Sequence, residues 1–290
     1  MKWYKLIFKQ EQPVYLGKSK YGVLSQTNLF INGNTIWGAL TNTYITKQKV
    51  NNVQEIKKIG DRLKTITCFF PAFKEGDNYK VLYPQYENGL FYFKSQDEKI
   101  KYSEDEFLLR FVDSFVSTSI ESSMRAAKDE SLHMTEFICQ RDKLTGEQLY
   151  WIGLLGLENR EANIDVNDIF SEIFIGGDTR YGLGYMKLVE TLNGETVENE
   201  LSNWGINVDG TIKKNDEDET ISLKNYLQLK PEEIDLRIKG KYGLIYENSV
   251  YKEDKQAVFC IYPGSKILKG QSYFDNKFSL VKGKFVLNNV

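Results

Sequence analysis

The sequence predicts an α+β fold whose core runs strand, helix, strand, strand, helix, strand. Three observations carry this. An aromatic strand opens the chain and a helix-period segment follows it. Two apolar runs, residues 132–140 and 148–157, are split by a short turn. A second helix-period segment then passes through a glycine-dense loop into a last strand.

Taken in order, residues 3–10 read as the first strand, rich in aromatic and aliphatic side chains. A long loop over 10–33 leads into "NTIWGALTNTYITKQ". There Ile36, Leu40, Tyr44 and Ile45 share one helical face, and Asn34 or Thr35 offers an N-cap. Residues 50 to about 130 hold no single period and read as a large insertion, including the acidic "SQDEKIKYSEDE". "LHMTEFICQ" alternates as the second strand, "RDKLTGE" turns, and "QLYWIGLLGL" is the third strand. "ANIDVNDIFSEIFI" reads as the second helix, with Val166, Ile169, Ile173 and Phe174 on one face. "YMKLVETL" is the last strand. This is the βαββαβ order of a ferredoxin-like (RRM-like) fold. Residues 1–190 are expected to form that domain, insertion included. A polar break follows, and "LRIKGKYGLIYE", "AVFCIYPGSKIL" and "FSLVKGKFVL" mark 191–290 as a smaller, mainly β C-terminal module.

A chain of 290 residues can bury a substantial core, and 18 Tyr and 17 Phe leave rings available for stacking. The formal charge is −2, so a polyanion site must be a local patch or be completed by partners. The three cysteines, Cys68, Cys139 and Cys260, have neither metal-type spacing nor a disulfide framework, which fits a reducing compartment. The start "MKWYKLIFKQ" is too charged for a signal-peptide core, and no apolar run is long enough for a membrane-spanning helix. A cytoplasmic location is the expectation.

The most unusual stretch is "IGGDTRYGLGY", residues 175–185, with four glycines and one arginine. A dinucleotide fingerprint runs from strand to glycines to helix, whereas here a helix precedes and a strand follows, so the negative helix end lies nearby. A Walker A loop needs Gly-Lys-Ser/Thr, which is absent. The remaining chemistry is an anion site of backbone amides, with Gly176, Gly177, Gly182 and Gly184 free to take unusual conformations. Arg180 adds a planar charged fork for phosphate oxygens, and Tyr181 a face on which a base can stack. That set suits an RNA backbone better than a small nucleotide. The alternative reading is that Gly182 and Gly184 merely ease the turn.

The glycine loop between second helix and last strand, "IGGDTRYGLGYMKL", resembles the hallmark of the RAMP superfamily of CRISPR-associated RNA-binding proteins. "LFINGNTIWGALTNTY" is similar to the segment entering the first helix of type III subunits, and "ESLHMTEFI" to the strand after their thumb insertion. Residues 191–290 carry weaker echoes, chiefly "IYPGSKI".

The resemblance implies crRNA, and possibly target RNA, as ligand, other type III effector subunits as partners, and no membrane. Target-cutting backbone subunits of the family place a metal-assisted aspartate before the first helix. Here "YLGKSKYGVLSQTNLFINGN" contains no Asp or Glu. Processing members use a histidine near the first helix, whereas the sole histidine, His133, lies in a strand after the insertion. The expectation is therefore a non-catalytic subunit, closest to the kind that holds the crRNA five-prime handle in the III-D branch, with no metal or cofactor. A RAMP endoribonuclease and a protein-interaction adaptor stand as alternatives. The RNA contacts expected outside the glycine loop are Lys18, Lys20 and Tyr21 before the first helix, and Arg125 and Lys128 at the end of the insertion. Trp37 is expected to pack the first helix onto the sheet.

Overall fold

The computed structural model describes residues 1–158, 164–213, 220–229, 237–247, 256–268 and 278–288. Its centre is β1 (Lys2–Gln10), whose Trp3, Tyr4, Leu6, Ile7 and Phe8 are all buried. Burial of consecutive residues means that both faces of the strand are covered. A hairpin, β2 (Gly17–Tyr21) and β3 (Leu24–Thr27), precedes α1 (Gly33–Lys47). Lys18, Lys20 and Tyr21 thus lie on a strand, not in a loop. The N-cap of α1 is Asn32, not Asn34 or Thr35, because the helix already begins at Gly33. The Asn32 side chain makes no cap bond; its Oδ1 accepts from the Tyr226 hydroxyl at 2.9 Å. α2 (Val53–Arg62) is capped by Asn52 Oδ1, which accepts from Gln54 N and Glu55 N.

The segment with no single period folds into β4 (Phe70–Glu75), β5 (Asn78–Glu87), β6 (Leu90–Ser95), β7 (Lys101–Ser103), α3 (Glu104–Phe111), β8 (Val112–Ser117), β9 (Ile120–Glu121) and β10 (Ala126–Ala127). Then come β11 (His133–Ile138), β12 (Tyr150–Leu157), α4 (Val166–Ile169), β13 (Glu172–Phe174), β14 (Tyr185–Asn193) and α5 (Glu195–Glu200). The principal sheet runs β13-β14-β1-β12-β4-β5-β6-β7, and the neighbours β14, β1, β12 and β4 are antiparallel.

Two elements differ from the sequence expectation. β11 forms no hairpin with β12; it lies in a separate sheet, β2-β3-β11-β8, and β4 takes the place beside β12. The cause is burial. β4 opens with four buried residues, Phe70 to Phe73, as a strand covered on both faces requires, whereas β11 leaves half-buried positions including Glu136. The second helix shrinks to Val166–Ile169, and Glu172–Phe174 becomes a strand paired with β14. Phe174 is exposed, with its ring 5.4 Å from Tyr185, so Ile173 and Phe174 point to opposite faces as strand residues do.

The C-terminal strands are β15 (Thr220–Ser222), β16 (Tyr226–Gln228), β17 (Arg237–Lys239), β18 (Tyr242–Glu247), β19 (Gln256–Ile261), β20 (Lys266–Leu268), β21 (Phe278–Val281) and β22 (Lys284–Leu287). They form a three-stranded sheet, β15-β20-β17, and a five-stranded one, β18-β19-β16-β22-β21. Both lean on the principal sheet. Trp204 stacks on Phe70 at 5.6 Å, Cys68 N donates to Asn225 Oδ1 at 2.8 Å, and Gly283 N donates to Ile66 O at 2.6 Å. Gly283 (φ +74°) lies so close to Gly33 that a Cβ on either would collide with the other's backbone. Burial pushes the Cys68 thiol up to about 12, so it is packing material and not a nucleophile. Among the described residues no helix is long and apolar enough to cross a membrane.

Candidate nucleic-acid interface

The glycine loop is stitched to the segment after β1. Gly177 N donates to Tyr15 O at 2.9 Å, and Gly184 N donates to Pro13 O at 2.8 Å. Gly176 (φ +83°) and Gly184 (φ +88°) leave no room for a side chain, since a Cβ would strike Tyr15 O or Ile175 O. The amides of Tyr181 and Gly182 are also engaged, by Asp178 O and Thr179 O. Four of the amides expected to cradle an anion therefore serve the chain itself. Outward contacts from this loop fall to Arg180 and Tyr181, on a 3-10 turn (Thr179–Tyr181) that starts from left-handed Asp178. Tyr181 is 82% exposed, and Arg180 has no ion pair among the described residues.

Beside this loop lies a groove of about 450 Å³. Gly176, Gly177 and Thr179 form one wall, and Gly17 with Asn28 forms the base of the β2–β3 hairpin. The floor is the face of α1 formed by Thr35, Gly38, Ala39 and Asn42, all small or polar and spaced at helical i, i+3, i+4, i+7. A Cβ at Gly38 would meet nothing within 4 Å, so packing does not require that glycine. Mid-helix glycine costs about 0.5–1 kcal/mol relative to alanine, and here it keeps the floor low. The groove also reaches Asn32 and Thr35 at the start of α1, where no acidic side chain sits in the first turn. The helix end facing the groove is thus the positive one, of α1, rather than the negative end expected from the order helix-loop-strand.

The structure brings some expected contacts to this groove and leaves others apart. Tyr15 bridges to Gly177, so the strand bearing Lys18, Lys20 and Tyr21 leaves directly from the groove wall. Lys18 lies 3.8 Å from Glu104, while Tyr21 is 82% exposed. Arg125 and Lys128 sit on the β9–β10 hairpin, beyond the opposite edge of the β2-β3-β11-β8 sheet. Arg125 takes φ 51° in the turn, and Lys128 N donates to Ser119 O at 2.8 Å. Trp37 packs α1 onto α2 and not onto the sheet: its Nε1 donates to Gly60 O at 2.8 Å, and the Lys282 ammonium lies 3.4 Å from its ring centroid. His133 is exposed on β11, with Nε2 2.8 Å from Ser117 Oγ and Nδ1 3.0 Å from Ser131 O. It does not line the groove. The Thr35, Gly38, Ala39 and Asn42 face went unread in the sequence, although its spacing was visible inside the first helix.

No family profile and no curated protein match this chain by sequence. Solved structures do match by shape. One is a chain of type III-B Cmr-beta bound to cognate target RNA and AMPPnP, with TM-score 0.58 and 15% identity, covering 91% of this chain and 86% of that one. A second Cmr-beta structure with cognate target RNA gives TM-score 0.55 at 15% identity over 98% and 99% of the two chains. The Csm3-Csm4 subcomplex of the type III-A CRISPR-Cas interference complex gives 0.50 at 14% identity over 100% of both. The fold is RAMP-like, of the kind found in type III CRISPR subunits.

Proposed function

We propose that this chain is an RNA-gripping, non-catalytic subunit of a type III CRISPR effector complex. In this reading it holds crRNA, and target RNA paired to it, with other type III subunits completing the basic channel. The observation that carries the reading is the open groove between the low face of α1, the positive end of that helix, and the glycine loop bearing Arg180 and Tyr181. Structural neighbours solved with bound target RNA add support. The antiparallel order β14-β1-β12-β4, with α1 between β1 and β4, supports a ferredoxin-like βαββαβ core. Residues 1–190 would carry the grip and residues 191–290 would brace it. Lys18, Lys20, Tyr21, Arg125 and Lys128 extend the contact along the small sheet, and the III-D handle-holding role and a cytoplasmic site belong to the same reading.

The experiment is incubation of the full chain, alone and in its guide-loaded complex, with repeat RNA and guide–target duplex, with and without Mg²⁺. Binding without cleavage is expected, and Arg180→Ala should weaken it for all sequences and lower the salt slope by about 1. Cleavage lost in His133→Ala would make the chain a processing endoribonuclease. Metal-dependent cleavage lost in Asp178→Asn would make it a target-cutting subunit.

A further inference from the structure

Away from the groove, the C-terminal strands close a cavity of about 380 Å³ against the turn that ends at Trp204. Three lysines converge on it, and the sheet register explains why. Lys266 on β20 lies opposite Ser222 of β15, Lys224 follows β15 by two residues, and Lys213 enters from the preceding segment. None of the three is in an ion pair among the described residues. The Lys224 ammonium rests instead 4.5 Å from the Tyr83 ring centroid. Among the described residues, the one carboxylate in the lining, Glu98, pairs with Lys94 at 3.6 Å. Trp204, 0% exposed, also lines the cavity, and its Nε1 has no hydrogen-bond partner among the described residues. Lysines with no ion pair among the described residues leave positive charge at the cavity that the oxygens of an anion can meet.

We infer that this cavity is a second anion site, independent of the RNA groove, and that it takes a phosphoryl group. The lining offers donors of several directions and concentrated positive charge, which matches an anion with several oxygens. Lysine serves as a point charge for phosphate. Trp204 is held against Phe70 and Tyr83, so it walls the cavity and does not stack on a base. A cavity of about 380 Å³ leaves room beyond the phosphoryl for the group that carries it. Burial, with Lys266 as the second cause, holds Lys224 down to about 8, and a bound anion would raise it again. The phosphoryl could come from an RNA end or from free phosphate or pyrophosphate.

The test is calorimetry on the full chain with inorganic phosphate, pyrophosphate, and a short oligoribonucleotide carrying either a 5′-phosphate or a 5′-hydroxyl. Phosphate-bearing probes should bind, with the 5′-phosphorylated oligonucleotide at least tenfold tighter than its hydroxyl twin if the source is an RNA end. Equal binding by pyrophosphate alone would assign the free anion as the source. Lys224→Met should abolish the preference while keeping or raising the melting temperature, since it removes a buried charge; Lys266→Gln should reduce it. Arg180→Ala acts on both oligonucleotides alike, so failure of the groove reading and failure of this one are separable. The acidic run 216–219 lies outside the described residues and is the rival occupant. Binding that emerges only after its four carboxylates are neutralised would overturn the proposal, as would probes that bind equally to the parent chain and to Lys224→Met.

Discussion

The groove at the glycine loop and the cavity behind Trp204 differ in what supplies attraction. The groove of about 450 Å³ is lined by glycines, small or polar side chains and the apolar Leu16, Phe30 and Phe174, with Arg180 and Tyr181 on the turn that follows Thr179. The cavity of about 380 Å³ is lined instead by Lys213, Lys224 and Lys266. Low relief with sparse charge lets a long polymer lie down at many points. Dense charge in a confined space holds one end or one small group. The near-neutral formal charge of −2 hides both, because the positive groups are placed locally.

Substitutions inside the glycine loop should cost the most stability. Gly184→Val combines a left-handed φ of +88° with a collision against Ile175 O, so a loss of about 4 kcal/mol or more is expected, read by urea unfolding. Gly182→Val meets no atom within 4 Å and suffers only from its φ of +83°, so about 1–2 kcal/mol is expected. Equal losses at the two positions would mean that the close approach of Gly184 to Ile175 O does not constrain the loop.

The cavity makes a pH prediction with a definite sign. Lys224 is held down by burial first and by Lys266 second, to about 8 from 10.5; its ammonium rests on the Tyr83 ring, and Lys213 and Glu98 line the same cavity. Between those two values the unfolded chain binds the proton and the folded chain does not, so this group's contribution to stability rises with pH from about 8 to about 10.5. Below about 8 both states are protonated and its buried charge opposes folding by a constant amount. Lys224→Met should remove that rise and be the more stable protein at pH 7. A parallel pH profile for both proteins would contradict the burial of this ammonium.

Period and composition made β1, α1, β12 and β14 legible, because each carries a long apolar pattern matched to its geometry. The place of β4 was not legible: Phe70 to Phe73 is a continuous buried run without a period, and its pairing with β12 joins residues about eighty apart in sequence. The shortening of the second helix turned on Ile173 and Phe174 facing opposite ways, which helical and strand periods both permit over so few residues. At the site, Gly176, Gly177 and Gly184 were readable as special, yet their purpose lies in Pro13 and Tyr15, a tertiary contact with no local signal. The convergence of Lys213, Lys224 and Lys266 likewise comes from the β15–β20 register.

The low floor of the groove depends most directly on Gly38. Replacing it with glutamine restores helix propensity worth about 0.5–1 kcal/mol and projects a side chain from the floor of α1 into open space. RNA affinity of the guide-loaded complex, measured across a salt series beside the melting temperature of the free chain, is the measurement. Gly38→Gln is expected to be at least as stable as the parent chain and to bind RNA at least tenfold more weakly. Unchanged affinity in a folded, assembled Gly38→Gln complex would contradict it.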